Sequence, residues 1–144
     1  GRVKMIGHIP EPKDFEGLVK TLVIIDDLEL KTLPKQQQMC LDRLFGYVST
    51  HKNVSVYIGI QDYYNLPVIV RRCCNVIIMW KGHDLDSLSR TAKKCGLKPD
   101  ELNALFDYYC PHYRDSVWLD LTNGTPAPIR INGFSVVEKI TPPK

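Results

Sequence analysis

Apolar residues follow two rhythms along this chain. Three short unbroken runs stand in its first half: residues 21–25 (Thr-Leu-Val-Ile-Ile), 54–60 (Val-Ser-Val-Tyr-Ile-Gly-Ile) and 75–80 (Asn-Val-Ile-Ile-Met-Trp). Runs this short and this rich in β-branched residues predict buried strands of the parallel-sheet kind. Between and after them the spacing becomes helical. Leu41, Leu44, Phe45 and Val48 fall at i, i+3, i+4 and i+7, and residues 66–73 read as a shorter helical stretch around Pro67. Leu85, Leu88, Ala92 and Cys95 line another face, capped by Asp84 and stopped by Gly96. Pro99 opens one more helix, with Asp100 and Glu101 in its first turn and Leu102, Leu105, Phe106 and Tyr109 as its stripe. Near the start, residues 3–6 predict a short strand stopped by Pro10 and Pro12, followed by a helical turn over 15–18. The tail changes period: Val117, Leu119 and Leu121 alternate with Trp118 and Asp120, as in a half-buried strand. Asn123-Gly124 and Asn132-Gly133 are turn signals, with short strands at 129–131 and 134–137. The expected fold is α/β: a mainly parallel sheet with helices on both faces and a C-terminal β-meander. Residues 1–144 read as one partial domain, with 3–110 the α/β core and 111–144 a β extension.

Composition narrows the class. Hydrophobic residues make up 44% of 144, enough for a packed core and too many for a disordered chain. No apolar run approaches the ~20 residues of a membrane span, and no secretory signal is recognisable. The sequence begins at Gly1-Arg2 rather than Met, so the native N-terminus is expected to lie elsewhere. A net charge of +3 is compatible with a polyanionic partner without establishing one, and Arg71-Arg72 is the one suggestive basic pair. The odd count of five cysteines, three of them (Cys40, Cys95, Cys110) in helical patterns, favours reduced thiols in an intracellular protein. With no secretion signal, Asn53-Val-Ser55 and Asn123-Gly-Thr125 are chance glycosylation matches. A zinc module built from Cys95, Cys110 and His112 with Cys73 or Cys74 is disfavoured: Cys110-Pro-His112 is too tight for a usual pair, and no Cys-x-x-Cys occurs.

Candidate chemistry gathers where the strands end. In an open parallel sheet ligands bind at the C-terminal strand ends. Here those ends carry Asp26-Asp27, Gln61-Asp62 and Lys81. Paired acids after a buried strand form the Walker B arrangement of nucleotide hydrolases, in which one acid holds Mg²⁺ through water and the other acts on the attacking water. They equally form an acidic turn or helix cap. A glutamine on the next strand fits the first reading, because its amide both donates to a γ-phosphate and accepts from water; an ordinary strand-end turn is the alternative. Arg71 and Arg72 suit phosphoryl charge, or are solvated and paired with local acids. The leucine and phenylalanine stripes read as core faces, Tyr63, Tyr64 and Trp80 as core or rim residues, and His51 as a solvated helix end.

In this order the segments resemble a known family. Ile24-Ile-Asp-Asp-Leu28, a helix ending at Thr50-His51, the 54–60 strand with Gln61-Asp62, Arg71-Arg72, and the 75–80 strand with Lys81 and Asp84 are similar to the viral DNA-packaging ATPases of the FtsK–HerA superfamily. The nearest type is the poxvirus-type packaging ATPase of large DNA viruses, Polintons and adintoviruses. The resemblance runs over about residues 3–110 and thins in the tail. It implies a P-loop NTPase sheet of the ASCE kind, with ATP and Mg²⁺ as cofactors. Asp26 would hold Mg²⁺ through water, and Asp27 would polarise the attacking water where the superfamily often has the longer Glu. Gln61 would be the sensor. Arg71 or Arg72 would be a finger reaching a neighbouring subunit's nucleotide, and Asn75 would support the same region. Double-stranded DNA, further copies in a ring such as a hexamer, and capsid proteins are the implied partners, in host cytoplasm, nucleus or virion and away from membranes. One departure matters: no Gly-x-x-x-x-Gly-Lys-Ser/Thr occurs. In the family that loop precedes the segment matching residues 3–10, and its strand lies between the strand ending in the sensor and the next. The expectation is therefore a motor subunit that is inactive unless a phosphate cradle is supplied. The alternative is a non-catalytic remnant or protein-interaction domain derived from such an ATPase.

Overall fold

Thr21–Ile25 (β1) and Val54–Ile58 (β2) pair in parallel in a computed structural model that describes residues 2–82, 84–126 and 128–140. The chain divides into two compact units, Gly1–Cys73 and Cys74–Lys144.

In the first unit the register runs from Thr21↔Val54 to Ile25↔Ile58, and the Gly59 N–H extends the ladder to the Ile25 carbonyl at 2.8 Å. A parallel pair needs a long crossover. It is supplied by Lys35–Arg43 (α1), a π-helical turn at Leu44–Val48, and Ser49–His51 (α2). The stripe expected at 41–48 is the buried face: Leu41, Leu44 and Val48 are fully buried, with Phe45 close behind. Val68–Cys73 (α3) packs on the π turn, where Gly46 admits Ile69; a Cβ there would come within 3.3 Å of the Ile69 side chain. The other face of β1 is uncovered, with Leu22 62% and Ile24 65% exposed and Leu18, Val19 and Tyr57 exposed nearby in sequence or across the ladder. Residues 3–6 form no strand; Val3 and Met5 point into solvent. The helical turn falls at Pro12–Asp14 rather than 15–18, fixed by Asp14 Oδ2 accepting the Glu11 N–H at 2.8 Å.

In the second unit Val76–Trp80 (β3), Ser116–Asp120 (β4), Ile129–Ile131 (β5) and Ser135–Val136 (β6) form an antiparallel sheet in that order. The C-terminal meander is thus present, and the α/β class with it. Parallel pairing among the described residues is confined to β1 and β2, because the described partner of β3 is the meander strand β4. Leu85–Lys94 (α4) starts at Asp84, whose carboxylate accepts both the N–H and the hydroxyl of Ser87; these bonds hold its carboxyl below the usual range. Pro99–Tyr109 (α5) packs against α4 through buried Leu88, Ala92, Leu102, Leu105 and Phe106. Asn132 and Gly133, both at positive φ, turn β5 into β6. The loop expected at 81–84 is described except at His83, which lies outside the described residues.

Asp115 ties this unit together. Its Oδ1 accepts from Asn132 Nδ2 at 2.9 Å, its Oδ2 accepts the His112 N–H at 2.8 Å, and Asn132 Oδ1 accepts the Ser116 N–H at 2.8 Å. The Asn132 bond, then the His112 bond, holds the Asp115 carboxyl below its ordinary value. A carboxyl lowered by folding stabilises the native state above its unfolded pKa, and that contribution is lost as pH falls through the lower folded value. Melting followed by circular dichroism between about pH 5 and about pH 2 is expected to show a smaller drop in midpoint for Asp115→Asn than for the wild type. Equal slopes would remove Asp115 from the acid response.

Candidate functional site

At the C-terminal end of β1 the backbone turns sharply. Asp27 has φ of +55°, the left-handed region, which costs a non-glycine residue on the order of 1 kcal/mol and which Asp and Asn tolerate best. The turn brings the Asp27 N–H to 3.1 Å from Asp26 Oδ1. Both side chains are exposed, and neither Asp26 Oδ2 nor the Asp27 carboxylate has a protein partner among the described residues. Strain of this kind at a pair of unneutralised acids persists only where the surrounding structure imposes it. The last ladder bond before the turn is the one from the Gly59 N–H to the Ile25 carbonyl.

Across the ladder, β2 ends at Ile58 and continues through Gly59 and Ile60 to Gln61, which is exposed. Because the two strands are parallel and in register, Asp26, Asp27 and Gln61 follow the same end of the pair. Asp62 does different work. Its Oδ1 accepts the Tyr64 N–H at 2.8 Å and caps the turn Tyr63–Asn65.

The two arginines at the end of α3 are not equivalent. Arg71 is half-buried: its Nε donates to the Leu66 carbonyl at 3.0 Å, its guanidinium lies 5.4 Å from the Tyr64 ring centre, and its own carbonyl accepts from the Tyr63 hydroxyl at 3.1 Å. Arg72 is exposed and has no partner among the described residues. Asn75 belongs to the second unit, where it is exposed and its carbonyl accepts the Leu121 N–H at 2.7 Å.

The residues at the end of β1 suit a hard divalent cation. Carboxylate oxygen is the donor such a cation takes, directly or through water, and Asp26 presents one oxygen fixed by a backbone N–H and one unpartnered. The carboxylate also lies in a cradle that a side chain would fill: a Cβ on Gly59 would stand 2.8 Å from Asp26 Oδ1. Gly59 was not singled out by the strand pattern. Its signal was present as a lone glycine inside a β-branched run, which marks close approach by another group. The bracing of Arg71 by Tyr64 left no sequence signal.

No three His, Cys, Asp or Glu side chains gather into a metal-binding group among the described residues. All five cysteines are unbridged, and burial pushes the Cys95 thiol up to about 11 and raises that of Cys110, which keeps both from being ready thiolate ligands. No helix among the described residues is long and apolar enough to cross a membrane.

No family model and no curated protein matches the sequence. Two solved structures are similar in fold. One is B204, the DNA-packaging ATPase from Sulfolobus Turreted Icosahedral Virus, with TM-score 0.54 and 16% identity over 78% of this chain and 51% of that one. The other is the genome packaging NTPase B204 from Sulfolobus turreted icosahedral virus 2 in complex with AMPPCP, with TM-score 0.52 and 18% identity over 83% of this chain and 54% of that one. This chain therefore spans about half the length of either protein. At such identities the likeness is one of fold: the chain has an α/β fold like that of a viral genome-packaging ATPase.

Proposed function

We propose that this chain is part of an ATP-driven motor that translocates double-stranded DNA for packaging, in a virus or virus-derived element of the FtsK–HerA kind. The observation that carries the reading is the end of β1, where a strained left-handed turn presents two unneutralised carboxylates beside the strand end that bears Gln61. The fold shared with the two packaging enzymes supports it, and one of those is in complex with AMPPCP. Bound Mg²⁺ would neutralise charge on the β- and γ-phosphate oxygens. Asp26, its carboxylate oriented by the Asp27 N–H, would hold that cation through water. Asp27 would accept a hydrogen bond from the attacking water, orient it in line, and take its proton as the water oxygen bonds to the γ-phosphorus and the bond to the ADP oxygen breaks. Gln61 donates from its amide nitrogen to the γ-phosphate and accepts from the same water. Arg72 extends from α3 towards a neighbouring subunit's nucleotide, and Arg71 braces the segment that carries it. The working assembly is a ring of copies around DNA, delivering to a capsid.

The alternative, from another class, is a domain that keeps the fold without phosphate binding and acts through protein contacts. The two separate on DNA-stimulated ATP turnover by the protein at its native length. Asp27→Asn is the informative variant, because Asn keeps the left-handed conformation and removes only the charge. Turnover is expected to fall about 10²–10⁴-fold, the usual worth of a positioned general base. Failure of the native-length protein to bind Mg-AMPPCP would overturn the motor reading in favour of the second.

A further inference from the structure

Gly59 does not occupy its position for backbone freedom. It is absent from the residues at positive φ, so its conformation is open to any amino acid. Its N–H is bonded to the Ile25 carbonyl at 2.8 Å, so moving its Cα away from β1 would strain that bond. What is unusual is the space above it, where a Cβ would stand 2.8 Å from Asp26 Oδ1, 3.8 Å from Asp26 Cγ and 3.9 Å from the Ile25 carbonyl oxygen. Only the first of these is closer than ordinary contact, and its atom is the tip of a rotatable side chain. We infer that Gly59 is a positioning residue, whose bare Cα lets the Asp26 carboxylate lie against β2 with one oxygen on the Asp27 N–H and the other presented to a divalent cation.

The inference rests on the cation-holding role of Asp26 proposed above. Its physical content is a trade between two ways of relieving one overlap. The backbone at residue 59 is pinned and the Asp26 side chain is not, so an alanine at 59 turns the carboxylate away and breaks its bond to the Asp27 N–H. The strands stay paired while the cation ligand is lost from its place. Without the Asp26 carboxylate there is no overlap. Alanine then improves on glycine, because ordering its backbone costs less entropy than ordering that of glycine.

Four proteins test this: wild type, Gly59→Ala, Asp26→Ala and the double variant. Mn²⁺ alone is the probe, read as paramagnetic broadening of the amide signals of residues 26, 27 and 59, alongside thermal midpoints. Broadening is expected in the wild type, and Gly59→Ala is expected to need about 10–100-fold more Mn²⁺, as when an oriented ligand loses its support. Gly59→Ala is expected to lower the midpoint of the wild type and to raise that of Asp26→Ala. A general structural role for Gly59 would not invert this sign. Equal broadening in wild type and Gly59→Ala, or a midpoint change of the same sign in both backgrounds, would overturn the role of Gly59. Absence of broadening in the wild type would instead overturn the cation-holding role of Asp26, whichever way the midpoints fall.

Discussion

Arg72→Ala, in the native-length protein, is expected to lower DNA-stimulated ATP turnover by about 10³–10⁵-fold, the range for loss of an arginine finger. Its melting temperature is expected to stay unchanged, because the side chain is exposed and has no partner among the described residues. Arg71→Ala should behave differently. It removes the bond to the Leu66 carbonyl and the stacking on Tyr64, so it loosens the segment that carries Arg72 and lowers stability together with turnover. A finger acts across a subunit boundary, and this gives the second measurement. Mixing Arg72→Ala subunits with Asp27→Asn subunits places some intact active sites at mixed interfaces, so the mixture should turn over faster than either variant alone. A tenfold or smaller loss for Arg72→Ala, or no gain on mixing, would remove it from the reaction.

Leu44→Ala is expected to cost about 3–5 kcal/mol in urea unfolding, the upper part of the range for large-to-small core changes. Leu44 is fully buried where α1 passes into the π turn, with Leu41, Phe45 and Val48 around the same face. The crossover carrying that face packs on β2, so filling the void would require the crossover to shift. Small domains hold only about 0.05–0.15 kcal/mol per residue, so a unit of this size would lose a large share of its stability. Leu22→Ala removes the same side chain from an exposed position on β1 and should stay within about 0.5 kcal/mol of the wild type. Similar urea midpoints for the two variants would contradict the packing described for Leu44.

Much of the fold was legible because burial leaves a period. The stripes at 41–48 and 102–109 became inner faces of helices, while of the stripe at 85–95 Leu88 and Ala92 are buried and Leu85 stays exposed; the turn at Asn132-Gly133 and the meander around it fell where the dipeptide put them. Strand direction was not legible, since a short apolar run carries no mark of parallel or antiparallel pairing. β1 and β3 read alike, yet β1 pairs in parallel with β2 and β3 pairs antiparallel with β4. Residues 3–6 looked strand-like, but a strand exists only through its partner, and none pairs with them among the described residues. At the site, composition gave Asp26, Asp27 and Gln61 and nothing about their conformation. The left-handed turn at Asp27 is a backbone conformation that no local pattern states. Arg71 and Arg72 were interchangeable on paper. One residue of helical rotation separates them, about 100°, enough to lay the first on Tyr64 and leave the second in solvent.

The bare face of β1 also governs how this protein behaves in a tube. Leu22, Ile24 and Tyr57 meet water on a surface that a parallel pair ordinarily keeps covered. A patch of that character sets a ceiling on concentration through self-encounter, and the ceiling moves with the solvent. Sulfate and phosphate buffers lower it by strengthening apolar contact, and modest urea raises it. Colloidal behaviour is therefore expected to follow from the same strand pair whose end carries the acids.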